Sequence, residues 1–128
     1  MEEYLSMYKY KFKESFPLLE KNYPILQKIA PPMQNACAKL IELAKHNNYN
    51  RIIIFGSSTT WHFRNNSDLD ICIDAELQVE TIMKQVTEAL DGVDFDLVVW
   101  KEISSLLLRE EILKGVTIYD RSTDASRT

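Results

Sequence analysis

Three stretches of the sequence carry residues that could do chemistry together. They are Gly56-Ser57, the run Ser67-Asp68-Leu69-Asp70-Ile71-Cys72-Ile73-Asp74, and the aspartates of Val93-Asp94-Phe95-Asp96-Leu97. In an extended chain alternate side chains share a face, so Asp68, Asp70, Cys72 and Asp74 line one side of a strand and Leu69, Ile71 and Ile73 the other. The isoleucine side wants a core. The aspartate side cannot enter one unaided, because paired carboxylates repel and are costly to desolvate. A hard divalent cation relieves both problems, and Mg²⁺ typically uses one or two carboxylates together with phosphate oxygens. Asp74 lies roughly 13 Å beyond Asp70 along a strand and reads as peripheral. Asp94 and Asp96 share one face of a later strand, and only one of them need serve such a site.

The elements that must position these groups follow from the flanking residues. Ile52-Ile53-Ile54-Phe55 is a short β-branched run suited to a strand buried on both faces. Gly56 ends it and lets the backbone come close to a ligand, while Ser57, Ser58, Thr59 and Thr60 are all able to cap a helix, whose free N–H groups attract phosphate. Residues 33–46 and 76–90 carry apolar stripes at helical spacing, and Asp91-Gly92 stops the second. Residues 103–114 read as a last helix with Ile103, Leu106, Leu107 and Leu113 inward and Gly115 as its cap. A short strand is expected over 116–119, with a polar, fraying stretch from Asp120 onward. Ala30-Pro31-Pro32 reads as a hinge. Before it, residues 3 to about 29 read as helical in two pieces, broken by Pro17 and Pro24, with an aromatic stripe of Tyr4, Tyr8, Phe12 and Phe16. That stripe is either extra core or a docking face for a second protein or a second copy of the chain.

Composition narrows the function. The chain has 128 residues and a formal net charge of −4, which fits one modest core and argues against a nucleic-acid backbone as partner. Cys37 and Cys72 have neither metal-ligand spacing nor a disulfide framework, so a reduced cytoplasm is expected. Neither a secretory signal nor an apolar run long enough for a membrane is present. No Walker A loop, GxGxxG fingerprint, zinc-ligand cluster or supportable Ser-His-Asp set competes with the carboxylates.

The residues quoted above resemble a family. Gly56-Ser57 followed after about ten residues by Ser67-Asp68-Leu69-Asp70 is similar to the signature of the polymerase-β-like nucleotidyltransferases, in their minimal, single-domain branch. The resemblance runs from roughly Asn35 to Asp120. It implies an α/β (α+β) fold, a small mixed sheet flanked by helices, with residues 1–30 as an N-terminal helical extension, 31–120 as the nucleotidyltransferase domain and 121–128 as a flexible tail. It selects Asp96 over Asp94 as third carboxylate. It assigns Asp68, Asp70 and Asp96 as catalytic and metal-binding residues, with two Mg²⁺ ions, and Gly56, Ser57 and Ser67 as nucleotide-binding residues. The implied reaction moves a nucleoside monophosphate, AMP from ATP, onto an acceptor hydroxyl.

The branch also resembles antitoxins paired with HEPN-domain ribonuclease toxins, so the implied acceptor is a side chain of such a toxin and the partner a HEPN-type protein. A non-catalytic antitoxin that masks its partner by contact is the alternative, and an aminoglycoside-type small-molecule acceptor a further one. Self-association through the N-terminal helices is a possible assembly. One departure stands out: where family members often carry arginines soon after Gly-Ser, this chain has Ser58, Thr59, Thr60 and Trp61. Arg51, Arg64 and Lys101 are the candidates to replace that charge in space. His62 reads as a surface imidazole rather than a base, and Trp61 as a packing residue rather than a base-stacking platform.

Overall fold

The computed structural model describes residues 21–59 and 68–124. The aromatic stripe before residue 21, together with Trp61, His62, Arg64 and Ser67, lies outside the described residues. Within them the chain forms three α-helices and four strands: α1 (Pro31–Asn47), β1 (Arg51–Phe55), β2 (Leu69–Asp74), α2 (Val79–Ala89), β3 (Phe95–Val99), α3 (Leu106–Leu113) and β4 (Val116–Asp120). Short 3-10 turns cover Pro24–Lys28, Gly56–Thr59, Trp100–Glu102 and Arg121–Thr123.

The strands form one mixed sheet in the order β3-β2-β1-β4. β1 is antiparallel to both β2 and β4, and β2 is parallel to β3. Parallel neighbours need a long crossover, which α2 supplies between β2 and β3. This is the small mixed sheet with flanking helices that the resemblance implies.

Side-chain alternation divides the sheet into two unequal faces. Ile52 and Ile54 of β1, and Leu69, Ile71 and Ile73 of β2, enter the main core with Cys37, Leu40, Ile41 and Ala44 of α1 and Ile82 and Val86 of α2. The aliphatic stripes seen in the sequence of these helices are therefore their buried sides. On the opposite face Ile53 and Cys72 meet Ile103 and Ile112 in a smaller cluster, rimmed by Phe55, Val98 and Trp100. One helix, α3, covers this second face among the described elements, and it covers only part of it.

Three expectations need correction. Ala30-Pro31-Pro32 is no hinge. Both prolines occupy the first turn of α1, where their fixed φ and missing N–H are tolerated. Ala30 is buried and donates its N–H to the Ser58 carbonyl at 2.8 Å. Nor do the leucines of α3 turn inward: Leu106, Leu107 and Leu113 are 74%, 76% and 56% exposed, and Ile112 makes the helix's buried contact. The helix lies across the sheet on its Arg109–Ile112 side, so residues 106, 110 and 113 point away from the sheet. Finally, Gly115 is not a left-handed cap. A Cβ there would collide with the Ile54 carbonyl and press on Phe55, so glycine is needed for α3 to end against β1.

Candidate functional site

Site residues from three elements meet at one end of the second face. β1 delivers Gly56, and its antiparallel register sets Phe55 opposite Asp70. The parallel register of β2 and β3 sets Asp70 directly beside Asp96. Adjacent strands run about 4.8 Å apart, so two side chains on the same face of such a pair are neighbours. Asp68 stands exposed just before β2. The entry of β2 is fixed to β3 by the Leu69 N–H donating to the Asp94 carbonyl at 3.0 Å.

Gly56 has a φ of +75°, a conformation that side chains with a Cβ rarely adopt. It also faces the Asp70 carboxyl, whose Cγ lies 3.1 Å from where a Cβ would stand and whose Oδ2 would be overlapped outright. The glycine therefore creates the space in which Asp70 sits. The Gly56–Thr59 turn is held in place from both ends: Thr59 Oγ1 donates to the Gly56 carbonyl at 2.9 Å, and the Ser58 carbonyl takes the Ala30 N–H. Ser58 is fully buried beneath it, its hydroxyl without a hydrogen-bond partner. Ser57 is in the turn and half-buried.

The electrostatics match the geometry. Asp70 is raised above the ordinary carboxylate range, first by burial, then by the negative charges of Asp96 and Asp68. A carboxylate destabilised by desolvation and by two like charges is a site short of positive charge. Among the described residues no three carboxylates, cysteines or histidines already converge on one point. Asp70 and Asp96 are paired and Asp68 stands to one side. The all-oxygen donor set suits a hard divalent ion, with Asp70 and Asp96 as the preformed pair. Asp94, the competing aspartate, precedes β3 and is exposed.

Two of the three candidates to replace the missing arginines, Arg51 and Lys101, are not at this end, and Arg64 lies outside the described residues. Arg51 starts β1, four positions from Phe55, and pairs with Asp74 at 3.6 Å. Its guanidinium lies 4.9 Å from the centre of the Trp100 ring, and that of Arg109 lies 4.8 Å from the same ring. Lys101 donates its Nζ to the Leu77 carbonyl. Asp74, read as peripheral, is accordingly a structural partner of Arg51. Nothing in the linear spacing of Arg51, Trp100 and Arg109 announced this stack. The one sequence signal was a tryptophan at a strand end flanked by charged residues.

Comparisons with known proteins bear on the family and the fold. The profile of the family described as "Polymerase beta, Nucleotidyltransferase" matches residues 38–124. A search of curated proteins finds no match. A chain from a structure of a mutant of the toxin–antitoxin pair MntA–HpeT is 24% identical, with a TM-score of 0.56 over 71% of this chain and 77% of that one. A chain from the complex of a tri-AMPylated Shewanella oneidensis HEPN toxin with its MNT antitoxin is 25% identical, with a TM-score of 0.52 over 73% of this chain and 77% of that one. The matched stretch holds Gly56, Asp68, Asp70 and Asp96, the mixed sheet that brings them together, and the helices around it. The chain belongs to the polymerase β nucleotidyltransferase family, as a minimal (MNT-type) nucleotidyltransferase domain.

Proposed function

We propose that this chain transfers AMP from ATP to a hydroxyl on a HEPN-type partner toxin, as an antitoxin. The observation that carries the reading is the Asp70–Asp96 register beside Gly56. Two adjacent carboxylates, one of them raised by burial and then by its acidic neighbours, would form a binding place for divalent cations. Asp68, Asp70 and Asp96 would hold Mg²⁺. Bound there, the ions would polarise the α-phosphoryl group and offset the charge on the attacking and leaving oxygens.

The chain's own residues do the rest. The acceptor oxygen attacks the α-phosphorus, the bond to the bridging α–β oxygen breaks, and pyrophosphate leaves with that electron pair. Asp96, exposed on the edge strand, would take the acceptor's proton. The Gly56–Thr59 turn, with Ser57 in it, would receive the β- and γ-phosphates. The protein acceptor is supported by the relative whose partner toxin is AMPylated.

A second reading, neutralisation by contact alone, is favoured by one observation: Arg51 and Lys101 are committed elsewhere, so they cannot supply cationic help for a triphosphate. One experiment separates the two. Purified protein, Mg²⁺, ATP labelled at the α-phosphate and the HEPN-type partner are mixed, with Asp70→Asn alongside. Label on the partner that Asp70→Asn abolishes supports the transferase. An unlabelled partner that both proteins inhibit equally establishes contact alone.

A further inference from the structure

Tied to the Gly56–Thr59 turn is a buried amide to which the transferase chemistry assigns no task. Gln34, in the first turn of α1, is 1% exposed. Its Nε2 donates to the Leu26 carbonyl at 2.9 Å and to the Ile29 carbonyl at 3.2 Å. Both acceptors are carbonyls, so the nitrogen of the amide must face them and its oxygen must face away. The Ile29 carbonyl belongs to the same planar peptide group as the Ala30 N–H, and that N–H donates to the Ser58 carbonyl at 2.8 Å. Gln34 is thus joined to the turn by two hydrogen bonds in series through one rigid unit, an arrangement in which each bond polarises the next.

Stability alone gives Gln34 little reason to be there. Its Oε1 is buried without a hydrogen-bond partner among the described residues, as is the Ser58 hydroxyl. The Leu26 carbonyl already accepts the Ile29 N–H at 3.0 Å, so the Ile29 carbonyl is the one that depends on the amide. Satisfying one carbonyl while orphaning one amide oxygen brings no net gain. Orphaned buried groups of this kind ask for a role beyond packing. What the amide does fix is the orientation of the Ile29–Ala30 peptide, and through it the place of Ser58. The relay is anchored in α1, where the Ala30 carbonyl also takes the Met33 N–H at 2.9 Å, and its other end holds the turn.

The turn has need of such a hold. Ser57, Ser58 and Thr59 carry no charge, so phosphates would be met by where the backbone stands and not by an arginine. Gly56 lies against the Asp70 carboxyl, so any shift of the turn alters the spacing between phosphate and carboxylates. We propose that Gln34 is a positioning residue for the nucleotide: through the Ile29–Ala30 peptide it fixes the Gly56–Thr59 turn where the β- and γ-phosphates are received. This rests on the transferase reading above.

The test is calorimetric titration of the full chain with α,β-methylene ATP in the presence of Mg²⁺, and with Mg²⁺ alone. It compares wild type, Gln34→Leu, Ala30→Pro and the double variant. Gln34→Leu removes the amide at similar size. Ala30→Pro removes the N–H from a backbone that suits proline, with a φ of −53° at Ala30 and an extended Ile29 before it. Thermal melts followed by circular dichroism set a working temperature well below every midpoint, and Ala30→Pro carries the test if Gln34→Leu does not fold. Each single variant should bind the nucleotide analogue about tenfold more weakly, the worth of one hydrogen bond. The affinity for Mg²⁺ alone should not move, because the β2–β3 register sets it. The double variant should be no weaker than the weaker single one, since both cut the same relay. Wild-type affinity for the analogue in the single variants overturns the inference. So do losses that add in the double variant, or an equal loss of Mg²⁺ binding, either of which would mark a loosened fold. A wild-type chain that binds Mg²⁺ but no analogue is a different result: it sinks the transferase reading itself and leaves Gln34 a structural residue.

Discussion

The same sheet face has two ends built from the same strands, and their charges are treated in opposite ways. At one end Asp70 and Asp96 stand side by side, with Asp68 near, and Asp70 is held above its ordinary pKa by burial and like charge. At the other end, roughly 13 Å along β2, Asp74 is paired with Arg51, whose guanidinium shares the Trp100 ring with Arg109. Folding alone favours the second arrangement: an Arg51–Asp74 ion pair and a ring shared by two planar cations. It disfavours the first. A fold that satisfies charge at one end and leaves it unsatisfied at the other marks the unsatisfied end as the place where a ligand completes the balance.

The largest expected effect is at Asp70. Asp70→Asn should reduce AMP transfer by about a thousandfold or more, since the preformed carboxylate pair is lost. The same change should raise, not lower, the thermal midpoint of the metal-free protein. The sign follows from the pKa. The fold raises Asp70 above its unfolded value, so ionised Asp70 opposes folding. That penalty is absent below the unfolded carboxylate pKa, about 3.9, and grows as pH rises through the raised folded value. The midpoint of Asp70→Asn should therefore exceed that of wild type at pH 7, and the two should converge near pH 4. Added Mg²⁺ should stabilise wild type more than the variant. Scanning calorimetry at both pH values, with and without Mg²⁺, checks this, and a variant less stable than wild type at pH 7 would erase the contrast between the ends.

Gly56→Ala comes next. Its left-handed backbone and the Asp70 carboxyl against it leave no place for a methyl group. We expect a loss of about 1–3 kcal/mol in stability, measured by urea unfolding. Transfer should also fall at least tenfold, roughly 1.4 kcal/mol of barrier, because Asp70 must turn away to admit the methyl. A variant that loses stability but keeps its rate would mean that the Asp70 position over Gly56 is dispensable.

These two ends were not equally legible in the sequence. The strand carrying Asp70 was readable because alternation of carboxylate and isoleucine is a local pattern with period two. The glycine turn was readable because a β-branched run stopped there. That Asp96, and not Asp94, stands beside Asp70 depends on the β2–β3 register, which no spacing within either strand states; it came with the family resemblance. The stack of Arg51, Trp100 and Arg109 was invisible because its members are 49 and 9 residues apart and meet only through the sheet. The leucines of α3 were misread because apolar residues in a helix were assumed to face their own core. The helix has apolar residues on more than one side, and the sheet takes only the side with Ile112.

The satisfied end should respond in stability and not in chemistry. Trp100→Ala removes the ring that two guanidiniums share and part of the small cluster with Ile53 and Cys72. We expect about 2 kcal/mol of lost stability with the transfer rate, measured well below the new midpoint, unchanged within about twofold.

The smallest change is the sharpest test of the division. Arg51→Lys keeps a positive charge opposite Asp74 but replaces a planar, weakly hydrated cation by a compact ammonium that cannot lie flat on the Trp100 ring. The half-exposed ion pair should survive and the stacking should weaken, for a loss of about 0.5–1 kcal/mol by denaturant titration. The transfer rate and the apparent affinity for ATP should not move, because Arg51 stands at the opposite end of β1 from Gly56. If either shifted severalfold while stability hardly changed, Arg51 would be acting on the triphosphate after all. The cation that the Gly56-Ser57 turn lacks would then have been supplied from the far end, and the two ends would be one site.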